Sequence, residues 1–182
     1  MVILASSSPR RKELLRQIID EFIIEVPNID ESINRPDKVE DIPYELAYRK
    51  AKAISEKHYN DIVIGCDTIV AFNNEVLEKP VDENDAYRML NKLNNNTHKV
   101  ISGVAIIYQG KEIRFIEESF VTFNDLSIED IQKYIKTKDP MDKAGAYGIQ
   151  NPYINLVKEL KGEYENVVGL PLKRLKTELE KL

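Results

Sequence analysis

The chain has 182 residues, 42% hydrophobic and 31% charged with only 7 Gly and 8 Pro, a globular composition sufficient for one domain or one two-lobed unit and unlike a disordered or fibrous chain. A net charge of −5 argues against nucleic acid or an anionic membrane as partner, while leaving room for a locally basic pocket that takes a small polyanion. A single cysteine, Cys66, excludes an intramolecular disulfide; with no basic leader and no apolar stretch near the roughly 20 residues of a membrane span, a reduced cytoplasmic compartment is expected.

In chain order, residues 2–5 predict a short buried strand bounded by serines. Ser8 is a good N-cap and Pro9 a good first helical residue, and Leu14, Leu15, Ile18 and Ile19 give the following helix one apolar face. Residues 22–26 read as a second strand, and 27–41 as a polar, acidic loop. A helix over about 43–59 carries Leu46, Ala47, Ala51 and Ile54 at helical spacing. The β-branched run 62–72 leads through Asn73-Asn74, a hairpin turn, into a return strand that starts at Val76 and ends at Glu78-Lys79-Pro80. Asp82 caps a helix to about Leu93. Residues 98–108 and 111–123 read as paired strands around Gln109-Gly110. Ser127-x-x-Asp130 resembles a capping box for a helix to about Thr137. Residues 138–152 form a long loop, a length that usually signals function. Residues 154–157 and 164–168 read as strands, and 170–182 as a closing helix. The alternation predicts an α/β fold with a mixed sheet.

Three clusters can carry chemistry. Ser6-Ser7-Ser8-Pro9-Arg10-Arg11 lies at a strand-to-helix junction, where free N–H groups and arginine forks suit phosphate oxygens. Basic side chains at a helix start oppose its dipole, which points to an anionic ligand; the alternative is a surface turn whose arginines pair with nearby acids. Gly65-Cys66-Asp67-Thr68 interrupts an apolar strand with a carboxylate and a hydroxyl. Asp67 reads either as a metal ligand or base for a water, or as a strand-end acid making structural hydrogen bonds. Glu31, with Asp30 beside it, could join Asp67 around magnesium, which needs one or two carboxylates plus water and phosphate; its bland reading is a solvated acidic loop. Lys50 and Lys52 are two apart on a helix, so at most one faces a pocket, and Lys79, pinned before Pro80, reads as the better-placed cation. In Asp142–Gln150, two glycines permit close backbone approach and Gln150 suits a base edge. One Cys and two His leave no usual zinc cluster, and Cys66 reads as a small buried hydrophobe.

Taken together, the ordered set Leu4-Ala5-Ser6-x-Ser8-Pro9-Arg10-Arg11-x-Glu13-Leu14-Leu15, Lys50-Ala51-x-Ala53, Gly65-x-Asp67-Thr68-Ile69-Val70, Leu77-Glu78-Lys79-Pro80, Asp142-Lys143-Ala144-Gly145-Ala146-Tyr147-Gly148-Ile149-Gln150 and Gly169-Leu170-Pro171 resembles the Maf family of nucleotide pyrophosphatases over nearly the whole chain. The resemblance implies one domain over 1–182 with a fold like that of inosine-triphosphate pyrophosphatases: an elongated, twisted mixed sheet flanked by helices, with two lobes and a central cleft. It implies hydrolysis of a nucleoside triphosphate to monophosphate and pyrophosphate with a divalent cation, Mg or Mn. Asp67 matches the proton acceptor, and Ser6, Arg10, Arg11, Glu31, Lys50 and Lys79 match positions around phosphates and metal. Arg10, Thr68 and Gln150 match the residues of members that act on dTTP and UTP. Members are often dimeric, so a homodimer is implied by analogy. The family name is tied to septum formation, which makes a nucleotide-binding regulator without turnover the alternative. Two departures stand out: Cys66 where alanine is usual, and Asn151-Pro152 after Gln150 where glycine is usual.

Overall fold

The computed structural model describes residues 1–34 and 36–182; Arg35, inside the expected acidic loop, lies outside the described residues. The chain begins with β1 (Val2–Ala5), α1 (Pro9–Leu15), β2 (Ile23–Ile24), α2 (Asp41–Ser55) and β3 (Ile62–Phe72). It continues through β4 (Glu75–Leu77), α3 (Glu83–Leu93), β5 (Thr97–Tyr108), β6 (Lys111–Phe123) and α4 (Ile128–Lys136). Two short 3-10 turns (Asp139–Asp142 and Ala144–Ala146) precede β7 (Val157–Lys161), α5 (Tyr164–Val168) and α6 (Leu172–Leu179). The strands form a seven-stranded sheet of order β2-β1-β3-β5-β6-β7, with β4 paired to β3. It is mixed: β1 is parallel to β2 and β3, whereas β3–β4 and β6–β7 are antiparallel.

Two compact units emerge. The first comprises Met1–Thr68, Ser102–Glu117 and Gly169–Leu182, and the second Ile69–Ile101 and Glu118–Val168. In the first unit, α2 presses Ala47, Ala51 and Ile54 onto Ile3, Val63 and Ala105. This helix rests directly on strand backbone. A Cβ at Gly65 of β3 would lie 2.2 Å from the Ala47 carbonyl oxygen, and one at Gly103 of β5 would lie 2.1 Å from that of Pro43. Only hydrogen fits in such gaps, so two glycines set how closely α2 approaches the sheet.

In the second unit, α3 and α4 pack Met89, Leu90, Ile131 and Tyr134 around Val121 and Phe123. Fully burying a side chain such as Phe123 contributes about 2–3 kcal/mol. Both helices start as the sequence predicts: Asp82 accepts from Asp85 N–H at 2.8 Å and Ser127 from Asp130 N–H at 3.1 Å. Asn73 and Asn74 both adopt positive φ (50° and 62°), the left-handed pair that a tight hairpin requires.

Four expectations are corrected. Residues 164–168 form one helical turn, α5, rather than a strand, and it buries Asn166 and Val168. The strand expected at 154–157 begins only at Val157, because Asn151 Oδ1 accepts the N–H groups of Tyr153 (3.1 Å) and Ile154 (3.0 Å) and curls that segment into a turn. α1 stops at Leu15, leaving Ile18 and Ile19 half-buried beyond it. The second strand shrinks to two residues, Ile23 and Ile24, both exposed.

Candidate active site

The site in the first unit grows from the carboxyl end of β1. Ala5 pairs with Gly65, and past that register β1 gives way to Ser6 while β3 runs on through Cys66, Asp67 and Thr68. The carboxyl ends of parallel strands are where open α/β sheets bind ligands. Along β3, residues 63–66 are buried, Asp67 and Thr68 are half-buried, and 69–71 are buried again. The two polar residues therefore open a gap in an otherwise apolar strand.

Because α2 lies directly on Gly65, its next turn delivers Lys50 to Asp67. Lys50 Nζ stands 2.7 Å from Asp67 Oδ1 and 3.0 Å from Glu31 Oε1, with the Lys50 and Asp67 side chains only 11% and 14% exposed. Lys52 faces outward, 3.9 Å from Glu112 at the surface. The two lysines thus point to different faces, as their spacing requires. The cation seated among carboxylates is Lys50, whereas Lys79, the better-placed one on sequence grounds, is exposed at the end of β4 in the second unit. The reason is the Gly65 contact, which draws α2 inward at this point.

Glu31 is presented by a clamp that sequence reasoning missed. Arg49 Nη1 donates to the backbone carbonyls of Asp30 (3.2 Å) and Ser32 (2.9 Å), pinning the acidic loop on both sides of Glu31. Asp30 folds its carboxylate back to accept Ser32 N–H at 2.9 Å, a bond that holds it below the usual carboxylate range. Glu31 is the acid left to reach Lys50.

The arginine cluster works differently from its sequence expectation. α1 has only seven residues, and its N-cap Ser8 already accepts Arg11 N–H at 3.4 Å, so the helix end itself offers little to an anion. The arginine side chain carries the charge. Arg11 Nε donates to the Gly169 carbonyl (2.9 Å), Nη1 to Ser6 Oγ (3.4 Å) and Nη2 to Thr68 Oγ1 (3.1 Å). Ser6 is 5% exposed, and its oxygen also accepts Ser8 N–H at 3.2 Å, so it acts as a support for Arg11. Arg10 is half-buried beside it on α1. Cys66 is fully buried and donates to Gly169 O at 3.3 Å, and burial pushes its thiol up. It is the small buried residue that was expected, not a nucleophile.

Ser6, Arg11, Glu31, Lys50, Asp67 and Thr68 therefore meet within one unit. Lys79 and Gln150 belong to the second unit, where both are exposed. There the loop before Gln150 is fixed: Gly145 N–H donates to the Glu78 carbonyl (3.2 Å), Gly148 N–H donates to the Tyr134 hydroxyl (3.0 Å), and Tyr147 OH meets His98 Nε2 at 2.7 Å. Lys79 follows Glu78 directly, so this loop is tied to the strand end that carries it.

The fold itself, a mixed sheet flanked by helices, resembles that of Ham1 proteins. The solved structure from Staphylococcus aureus matches with a TM-score of 0.54 and 13% identity, covering 99% of this chain and 98% of that one. The structure from Coxiella burnetii matches at 0.51 and 12%, covering 100% and 98%. The family model for Maf-like protein matches residues 1–182, and the chain belongs to that family. Its relatives include the dTTP/UTP pyrophosphatase of Symbiobacterium thermophilum, 48% identical over 95% of this chain and 89% of that protein. The dTTP/UTP pyrophosphatase of a Geobacillus species is 46% identical over 100% and 97%. Among the described residues no helix is long and apolar enough to cross a membrane.

Proposed function

We propose that this protein is a nucleoside triphosphate pyrophosphatase that hydrolyses dTTP and UTP to the monophosphate and pyrophosphate. The observation that carries this is Lys50 held between Asp67 and Glu31 in the same unit as an Arg11 guanidinium braced by Ser6, Thr68 and Gly169. Relatives at 44–48% identity that bear the name dTTP/UTP pyrophosphatase support it.

The chemistry needs a water oxygen to bond to the α phosphorus as the bond to the β-bridging oxygen breaks. Little covalent work falls to the protein; positioning and charge stabilisation dominate. Asp67 takes the proton of the attacking water, and its contact with Lys50 fixes where that carboxylate sits. Arg11 is the cation that meets phosphate oxygens, Lys50 adds positive charge beside them while paired with Asp67 and Glu31, and Arg10 and Lys79 are further candidate phosphate-binding cations. Arg10, Thr68 and Gln150 set preference for the pyrimidine nucleotide.

Glu31 and Asp67 are the residues that would hold a divalent cation. Their donors are hard carboxylate oxygens, and both reach one cationic group, the Lys50 ammonium, at 3.0 Å from Glu31 and 2.7 Å from Asp67, so the two acids lie close enough to share a cation. That set fits Mg or Mn, which fills its remaining positions with water and substrate phosphates. When bound, such a cation neutralises charge on the triphosphate. A cytoplasmic location agrees with a lone, buried, reduced cysteine.

The test is a panel of nucleoside triphosphates with Mg, Mn or Co, read by product. The expected result is dTMP and UMP with pyrophosphate. Tight dTTP binding without turnover would instead support the non-catalytic regulator, and a diphosphate product would support a terminal phosphatase.

A further inference from the structure

A guanidinium has five N–H donors in a rigid plane. In Arg11 three of them are committed: Nε to Gly169 O, one on Nη1 to Ser6 Oγ, and one on Nη2 to Thr68 Oγ1. One donor remains on each terminal nitrogen, and guanidinium N–H groups suit phosphate oxygens. Where those two donors point depends on the three acceptors behind them.

The Thr68 acceptor is itself held. Its Oγ1 lies 2.8 Å from Ser102 Oγ, and Ser102 is fully buried on β5, whose residues 100–107 are all buried. A hydroxyl has one proton and two lone pairs. Arg11 occupies one lone pair of Thr68; its proton goes to Ser102 Oγ at 2.8 Å or to the Gly169 carbonyl at a longer 3.4 Å, and in the second case Ser102 donates to the other lone pair. In both cases the oxygen facing Arg11 is fixed in direction. The neighbouring acceptor, Gly169 O, is steadied by the Cys66 thiol at 3.3 Å. A hydroxyl in so apolar a strand costs stability unless it is bonded, and this bond leads towards the site.

We propose that Ser102 is a positioning residue for phosphate binding. It acts through Thr68 to set the plane of the Arg11 guanidinium, leaving one N–H of each terminal nitrogen for the triphosphate. The proposal rests on the pyrophosphatase reading, and it gives Thr68 a role exerted through Arg11.

The experiment measures pyrophosphate release from dTTP, and separately the binding of a non-hydrolysable dTTP analogue, in Ser102→Ala, Thr68→Val, Thr68→Ser and the Ser102→Ala/Thr68→Val pair. Ser102→Ala is expected to lower kcat/KM and analogue affinity by roughly tenfold each while the melting temperature stays close to that of the parent. On the Thr68→Val background, where the relay is already cut, the same change is expected to add less than about twofold. Thr68→Ser keeps the hydroxyl and is expected to retain most activity. A Ser102→Ala variant within about twofold of the parent overturns the proposal, and so does a full, independent loss in the double variant. If Ser102→Ala fails to fold, the Thr68 pair decides: Thr68→Val at parental activity overturns it. Analogue binding without pyrophosphate release by the parent protein would sink the pyrophosphatase reading alone, since loss of analogue affinity in Ser102→Ala would still support the positioning role.

Discussion

Among single residues Lys50 is decisive, because its ammonium serves two carboxylates at once. Asp67→Asn removes a proton acceptor but leaves Lys50 its Glu31 partner. Activity is expected to fall at least roughly a hundredfold with the fold intact, read by pyrophosphate release and thermal melting. Lys50→Met should behave differently. It leaves two acids facing each other without a counter-ion, so stability in urea is expected to drop by about 3 kcal/mol along with activity. Asp67 stood out in the sequence because a carboxylate interrupts an apolar strand, whereas the spacing of Lys50 and Lys52 showed only that they face apart, and it took the family resemblance to single out Lys50. Arg49, Ser102 and the Gly169 carbonyl were not. A helix arginine that pins loop carbonyls looks like any solvated arginine, a strand serine looks like any strand serine, and a carbonyl acceptor has no sequence signature.

Among the elements, α2 decides whether the site exists, because its approach to β3 is set by the hydrogen of Gly65. Gly65→Ala would drive a methyl into the Ala47 carbonyl. The expected outcome is a loss of about 2–3 kcal/mol in chemical denaturation together with a large loss of turnover, since Lys50 moves with the helix. Arg49→Ala should act on the acidic loop instead. Once the loop is released, Glu31 is no longer held at Lys50, and the metal concentration for half-maximal rate is expected to rise several-fold while kcat at saturating metal changes little. Long elements with caps or turns of their own, such as β3, α3 and the Asn73-Asn74 hairpin, could be read from the chain. α5 could not, because a short run ending Val167-Val168 has no period to separate strand from helix. β7 was hidden for another reason: Lys158, Glu159 and Lys161 are exposed, so pairing with β6 through Val157 and Leu160 leaves little apolar pattern.

For the whole molecule, His98 links stability to pH. It is buried in a cluster of edge-on rings with Phe123 and Tyr147, and burial holds its pKa down to about 4 from 6.5. The unfolded chain therefore binds a proton that the folded chain refuses. Its contribution is fully present above about pH 6.5 and is lost as pH falls towards about 4, amounting to about 3 kcal/mol. Denaturation of parent and His98→Phe proteins across that window should show the parent losing stability faster on acidification. Parallel pH profiles would contradict this. Family membership was written across the whole sequence, whereas the bond that is broken is fixed only by chemistry. Hydrolysis of dTTP in ¹⁸O-water shows which phosphorus the water attacks. Attack at the α phosphorus predicts label in dTMP and none in pyrophosphate; label in pyrophosphate, or release of dTDP with labelled phosphate, would contradict it.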